Sequence, residues 1–208
     1  VRENCSQYYS NNLCLIESEQ ILLSAIETDQ PDVVFLQEMW NQEGCTDENR
    51  PVEVNEAPYA CGAGDSPQIE RVLPEGYSYG CASGYPDNCI AFREGLFELT
   101  APDGVSAACN GIDCSTYVVS NPADCSVDGR IALLEGKSED VPFILAVVHA
   151  NAGVDPEDAA CRHSQLKSIE SVLLDKPSDT PIIIAGDFNL DPDIYATEDV
   201  DAFNEMLE

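Results

Sequence analysis

Three apolar runs constrain the fold of this chain more than any other feature: DVVFLQE (Asp32 to Glu38), PFILAVVH (Pro142 to His149) and PIIIAGDFN (Pro181 to Asn189). Each is short, rich in β-branched residues and bounded by turn-forming or polar residues, so each reads as a buried strand. Near-continuous apolarity of this kind belongs inside a sheet covered on both faces. Yet each run ends in residues that are costly to bury alone: Gln37 and Glu38, His149, then Asp187 and Asn189. These strand ends are either solvated turns or one site.

The rest of the chain supplies the layers that such strands need. IESEQILLSAIET sets Ile16, Ile21, Leu22, Ala25 and Ile26 roughly on one helical face. PEDAACRHSQLKSIESVLLDK does the same with Ala160, Leu166, Ile169, Val172 and Leu173, and TEDVDAFNEMLE begins a third helix. YSYGCAS and NCIAFRE read as strands around the turn signal Gly84-Tyr85-Pro86-Asp87, and STYVVSN and RIALLEG as two more. Asn41 to Pro74 and Ala101 to Asp113 lack periodicity and read as loops. Helices alternate with strands, but several strands are consecutive. That pattern predicts a mixed-sheet α/β sandwich and not a purely parallel sheet. Nothing in composition divides residues 1–208, which read as a single domain.

Charge and cysteine content narrow the function. Nine Lys and Arg stand against 39 Asp and Glu, a formal net charge of −30. Such a field repels polyanions at long range and offers few cations to neutralise phosphates, which disfavours a tight nucleic-acid binder. It suits a solvated, salt-tolerant surface, or one that gathers divalent cations. The ten cysteines include no C-x-x-C and no zinc-type spacing. CASGYPDNC and CNGIDC look like short loops closed by disulfides, which implies an oxidising compartment. The expectation is a secreted or surface-exposed protein, its leader already removed or left out of this stretch. No apolar stretch approaches the roughly 20 residues of a membrane helix.

A carboxylate, an imidazole, a second carboxylate and an amide at strand ends form the set that metal-assisted phosphoryl chemistry needs. In α/β sheets, ligands bind where side chains from separate strand ends converge. Glu38 can hold a hard cation, which takes carboxylate oxygens and keeps several waters. His149 can protonate a leaving oxygen or stabilise phosphate charge, and Asp187 can orient a water or a metal. Taken singly, each has a plain structural reading: a solvated edge for Gln37-Glu38, a satisfied structural histidine for His149, a turn cap for Asp187 and Asn189. Their occurrence together on three strand ends favours a site.

PDVVFLQE (Pro31 to Glu38), VVHANAG (Val147 to Gly153), the helix beginning RHSQL (Arg162 to Leu166) and AGDFN (Ala185 to Asn189) carry a resemblance. In that order they resemble the endonuclease/exonuclease/phosphatase superfamily, which includes deoxyribonuclease I-like enzymes and bacterial sphingomyelinases. The resemblance implies a deoxyribonuclease I-like α/β sandwich in which Glu38 binds the divalent metal, Mg²⁺ or else Ca²⁺ or Mn²⁺. It implies that His149 contacts the scissile phosphate or assists the leaving group, that Asp187 orients the attacking water, and that Asn189 contacts phosphate. Arg130 matches a phosphate-contacting arginine of some members. His163 looks structural, and Cys161 beside it is expected in a disulfide.

The family pattern also has a first strand bearing an Asn and a last strand bearing an Asp-His pair, and neither has a counterpart here; Asn4 is not assigned that role. The expectation is therefore a domain incomplete at both ends, a piece of a longer one, with sheet edges open to a complementing segment or to self-assembly. Three functions compete. The first is a secreted, metal-dependent endonuclease-like phosphodiesterase. The second is a sphingomyelinase-like phospholipid phosphodiesterase, with GYSYGCASGYPDN as its membrane-touching loop. The third is a non-catalytic, disulfide-braced extracellular assembly or binding protein that keeps the fold.

Overall fold

The structure, a computed structural model, describes residues 15–39, 68–81, 88–99, 116–118, 125, 131–190, 200–201 and 203–205. In chain order the elements are α1 (Leu15–Asp29), β1 (Val33–Leu36), α2 (Gln68–Val72), β2 (Tyr77–Cys81), β3 (Cys89–Arg93), β4 (Glu98–Leu99), β5 (Thr116–Val118), β6 (Ile131–Ser138), β7 (Val141–His149), α3 (Pro156–Leu174) and β8 (Ile182–Asp187). Residues 200–201 and 203–205 are helical, as TEDVDAFNEMLE suggests.

The strands form two sheets. One is antiparallel, in the order β1-β3-β2; the other runs β4-β6-β7-β8, with β5 also paired to β6. Among the described residues only β7 and β8 pair in parallel, and α3 makes the crossover between them. The mixed sandwich is thus borne out.

Side-chain alternation along the strands builds three apolar layers. Between the sheets lie Ile90 and Phe92 of β3, Leu134 of β6, and Leu145 and Val147 of β7, with Val33, Phe35, Phe97 and Phe143 packed against them. The opposite face of β7 (Ile144, Ala146, Val148) joins Leu166 and Ile169 under α3. Leu36, Cys81 and Cys89 turn the other way, toward Ile69 and Val72 of α2 and Leu22 of α1. Helices therefore cover the outer face of each sheet. A disulfide links Cys81 and Cys89 across the β2–β3 pair, closing the CASGYPDNC loop as expected, and another joins Cys125 to Cys161 at the start of α3. Cys109 and Cys114 of CNGIDC lie outside the described residues.

Several expectations need correction. Ile21 is 70% exposed and Ala25 is exposed too, so α1 meets its sheet through Leu22 and Ile26. A second anchor is electrostatic: Glu19 accepts from Arg71 at 2.7 Å and from Gln68 at 3.1 Å, which ties α1 to α2. The helix α2 itself sits within a stretch that reads as loop. On α3, Ala160 is exposed, while the polar Arg162 and Gln165 are buried. The IIIAG run is not an interior strand among the described residues: β8 is the sheet edge, and Ile183 is 53% exposed.

Candidate active site

The site begins with the register of β7 and β8. Their parallel pairing sets Val148 beside Gly186 and His149 beside Asp187, so both strands end level. Only glycine allows this approach. Gly186 has φ +143°, and a Cβ there would lie 1.9 Å from the Val148 carbonyl oxygen. The ladder continues one residue further, as Ala150 N–H donates to the Asp187 carbonyl at 2.8 Å.

Beyond the strand, Asn189 takes φ +49°, a left-handed conformation that Asn adopts more readily than most residues. Its backbone N–H donates to Asp187 Oδ1 at 2.9 Å, and its Nδ2 donates to the Ala150 carbonyl at 2.9 Å. The GDFN turn is thereby fastened to the end of the His149 strand.

Glu38 arrives from the other sheet. It too is left-handed, with φ +56°, a conformation that costs a non-glycine residue about 1–3 kcal/mol and collects at functional sites. The carboxylate is 67% exposed and its Oε1 lies 3.9 Å from His149 Nε2, whereas the His149 side chain is only 9% exposed. Alternation explains His149, and the left-handed turn at Glu38 breaks the alternation that would otherwise send its carboxylate to the outer face. Val33 and Phe35 face the interior between the sheets, as do Phe143, Leu145 and Val147. Continuing each series by two points Gln37 and His149 inward at the same end of the sandwich.

The loop after His149 is held by α3. Arg162, fully buried, donates through Nη1 to the carbonyls of Asn151 at 3.0 Å and Gly153 at 2.8 Å. Gln165 Oε1 accepts the Asn151 N–H at 2.9 Å, and Asn151 Nδ2 donates to Asp158 Oδ1 at 2.7 Å. Asp158 also accepts the Asp155 N–H at 3.2 Å, capping the helix start. Gly153, at φ +118°, lets the loop lie against that carboxylate, since a Cβ would fall 2.2 Å from Asp158 Oδ2.

The structure thus brings Glu38, His149, Asp187 and Asn189 to one end of the sandwich, while Arg130 lies outside the described residues. Sequence reasoning missed the supporting set of Asn151, Asp158, Arg162 and Gln165. The only signal for it was the RHSQL motif, because polar residues on a buried helix face look like solvent residues in a periodicity count. A cavity of about 450 Å³ lined by Ile26, Gln30, Tyr77, Arg93 and Glu94 lies elsewhere, where β1 and β2 begin, and holds none of these residues. Among the described residues no cluster of three or more His, Cys, Asp or Glu is placed to hold a metal ion. The exposed Glu38 carboxylate nonetheless fits a largely hydrated hard cation, which needs only one or two carboxylates plus substrate oxygens.

Residues 16–206 match the model of the endonuclease/exonuclease/phosphatase family. The chain belongs to that family. No curated protein sequence matches it. Among solved structures, a humanized D. rerio TDP2 superposes with a TM-score of 0.56 at 16% identity, covering 93% of this chain and 61% of its own. D. rerio TDP2 complexed with a single-strand DNA product gives 0.55 at 17%, covering 93% and 60%. A mannosyl-6-phosphatase of Bacteroides thetaiotaomicron gives 0.55 at 16%, covering 92% and 62%. At such identities the likeness establishes the deoxyribonuclease I-like fold. The chain spans about three-fifths of the length of each of these proteins.

Proposed function

We propose that this chain is the phosphate-binding part of a secreted, divalent-metal-dependent hydrolase of phosphate esters, of the phosphodiesterase type. One observation carries the reading: Glu38 from one sheet lies 3.9 Å from His149 of the other, and His149 is level with Asp187. An exposed carboxylate, a shielded imidazole and a second carboxylate therefore meet at one set of strand ends, with Asn189 beside them.

Each residue has a task that its position supports. Glu38 holds Mg²⁺, which when bound neutralises charge on the phosphoryl oxygens. His149, shielded from water, hydrogen-bonds a phosphate oxygen or hands a proton to the leaving oxygen. Asp187 is oriented by the Asn189 N–H on Oδ1, which leaves Oδ2 to orient an attacking water. The turn that fastens Asn189 to Ala150 presets these groups before substrate arrives, and preorganisation of this kind is what electrostatic catalysis needs.

Within this fold, proteins of similar structure range from one complexed with a DNA product to a mannosyl-6-phosphatase. For this chain the net charge of −30 favours a compact phosphate ester over a long polyanion. The two described disulfides support an oxidising, extracellular setting. No helix among the described residues is long and apolar enough to cross a membrane. The test is a hydrolysis panel on the longest natural form with Mg²⁺: small phosphate diesters and monoesters, single-stranded DNA, RNA and sphingomyelin vesicles. Turnover of small esters that exceeds turnover of polymers supports the reading. Inertness toward every substrate sinks it in favour of a non-catalytic protein.

A further inference from the structure

The inner layer between the sheets turns polar at the site end, and two of its residues have no task in the reading above. Asn88 follows Phe92 and Ile90 along the inward face of β3, as Gln37 follows Val33 and Phe35 along β1. The ladder ends with Leu36 paired to Cys89, and continuing its register by one residue sets Gln37 opposite Asn88. Residues directly opposite in an antiparallel pair present their side chains to one face, about 5 Å apart.

Asn88 is 0% exposed. Among the described residues, neither of its side-chain polar atoms has a hydrogen-bond partner, and nor does the buried Gln37 Nε2. Unmade hydrogen bonds at buried amides destabilise a fold, and an apolar residue beside Ile90 and Phe92 would not carry that cost. Native proteins keep such groups where a ligand completes them.

We propose that Gln37 and Asn88 are a pair of amide donors for one oxygen of the phosphate group bound at the Glu38, His149 and Asp187 end. The inference rests on the phosphate-ester reading and assigns it two further binding residues. Amide N–H groups complement an anionic oxygen and not a cation. Away from water such a bond is stronger than at a surface. The arrangement also places opposite duties on consecutive residues, since Gln37 faces the anion and Glu38 the cation. Gln37, next to Glu38 in the chain, is only half-buried.

The experiment is calorimetric titration of inorganic phosphate into the Mg²⁺-saturated protein, alongside thermal unfolding without phosphate. Asn88→Leu is expected to weaken phosphate by about tenfold or more while raising the unfolding temperature, because it removes an unsatisfied amide. Asn88→Ala carries the same affinity prediction without added volume, should leucine overpack. Asn88→Asp keeps the shape but loses the donor, and is expected to abolish phosphate binding while Mg²⁺ binding persists. If wild type binds phosphate and all three variants bind it within about twofold of wild type, the amides hold only a water. The inference then fails and the hydrolase reading stands. If wild type itself binds no phosphate with Mg²⁺ present, both fail.

Discussion

Asp187 stands directly opposite His149 in the parallel pairing of β7 and β8, so an acid and an imidazole leave the sheet at the same level. Their relative position follows from backbone hydrogen bonds and does not depend on a flexible loop. The Ala150 N–H to Asp187 carbonyl bond and the Asn189 side chain on the Ala150 carbonyl lock the two strand ends together.

Gly186 is the narrowest point of that arrangement. Gly186→Ala would put a methyl group 1.9 Å from the Val148 carbonyl oxygen at a φ of +143°. The expected loss is about 3 kcal/mol or more, combining backbone strain with a forced opening of the strand pair. Denaturant unfolding measures it, and amide exchange at Ile184 to Asp187 should accelerate before global unfolding.

Arg162 should act on the site without touching it. Arg162→Lys keeps the charge but loses the paired bonds from one nitrogen to the Asn151 and Gly153 carbonyls. We expect destabilisation of about 2–3 kcal/mol, since hydrogen bonds from a buried charged donor are the strong ones. The His149 imidazole resonances, followed by NMR, should broaden or shift as the loop behind it loosens.

Glu38 should trade stability for function. At φ +56° a glutamate is strained and a glycine is not, so Glu38→Gly is expected to leave stability unchanged or raise it by at most about 1 kcal/mol. The same substitution should abolish Mg²⁺ binding, read by titration calorimetry. A destabilised Glu38→Gly would show that the carboxylate serves the fold.

Tyr79 gives the chain an alkaline limit. Burial, then the bond its hydroxyl donates to Glu70, push its phenol up to about 12. The unfolded phenol ionises near its ordinary value of about 10. The contribution is therefore full below pH of about 10 and falls away as the pH rises toward about 12. Tyr79→Phe should flatten the stability profile over that window, as ultraviolet titration and thermal unfolding together would report.

The strands that carry the site were legible because unbroken apolar runs ending in Glu38, His149 and Asp187 have few other homes. What could not be read was each strand's neighbours. Apolarity marks a residue as fit for burial but does not say what covers it, and so IIIAG reads as interior although β8 lies at an edge. The same limit hid Arg162 and Gln165, whose burial depends on loop carbonyls and N–H groups that periodicity does not register. Asn88 opens the strand NCIAFRE and carries no mark of a role in the sequence; only the Leu36–Cys89 register brings it toward the end of β1.

The most direct test of the account is the initial rate of hydrolysis of bis(p-nitrophenyl) phosphate by the longest natural form, measured as Mg²⁺ is added and then removed with a chelator. The account predicts a rate that requires Mg²⁺ and falls by about a hundredfold or more in Asp187→Ala and Glu38→Ala. Rates that ignore the metal and are the same in all three proteins, or no turnover by any of them, would contradict it.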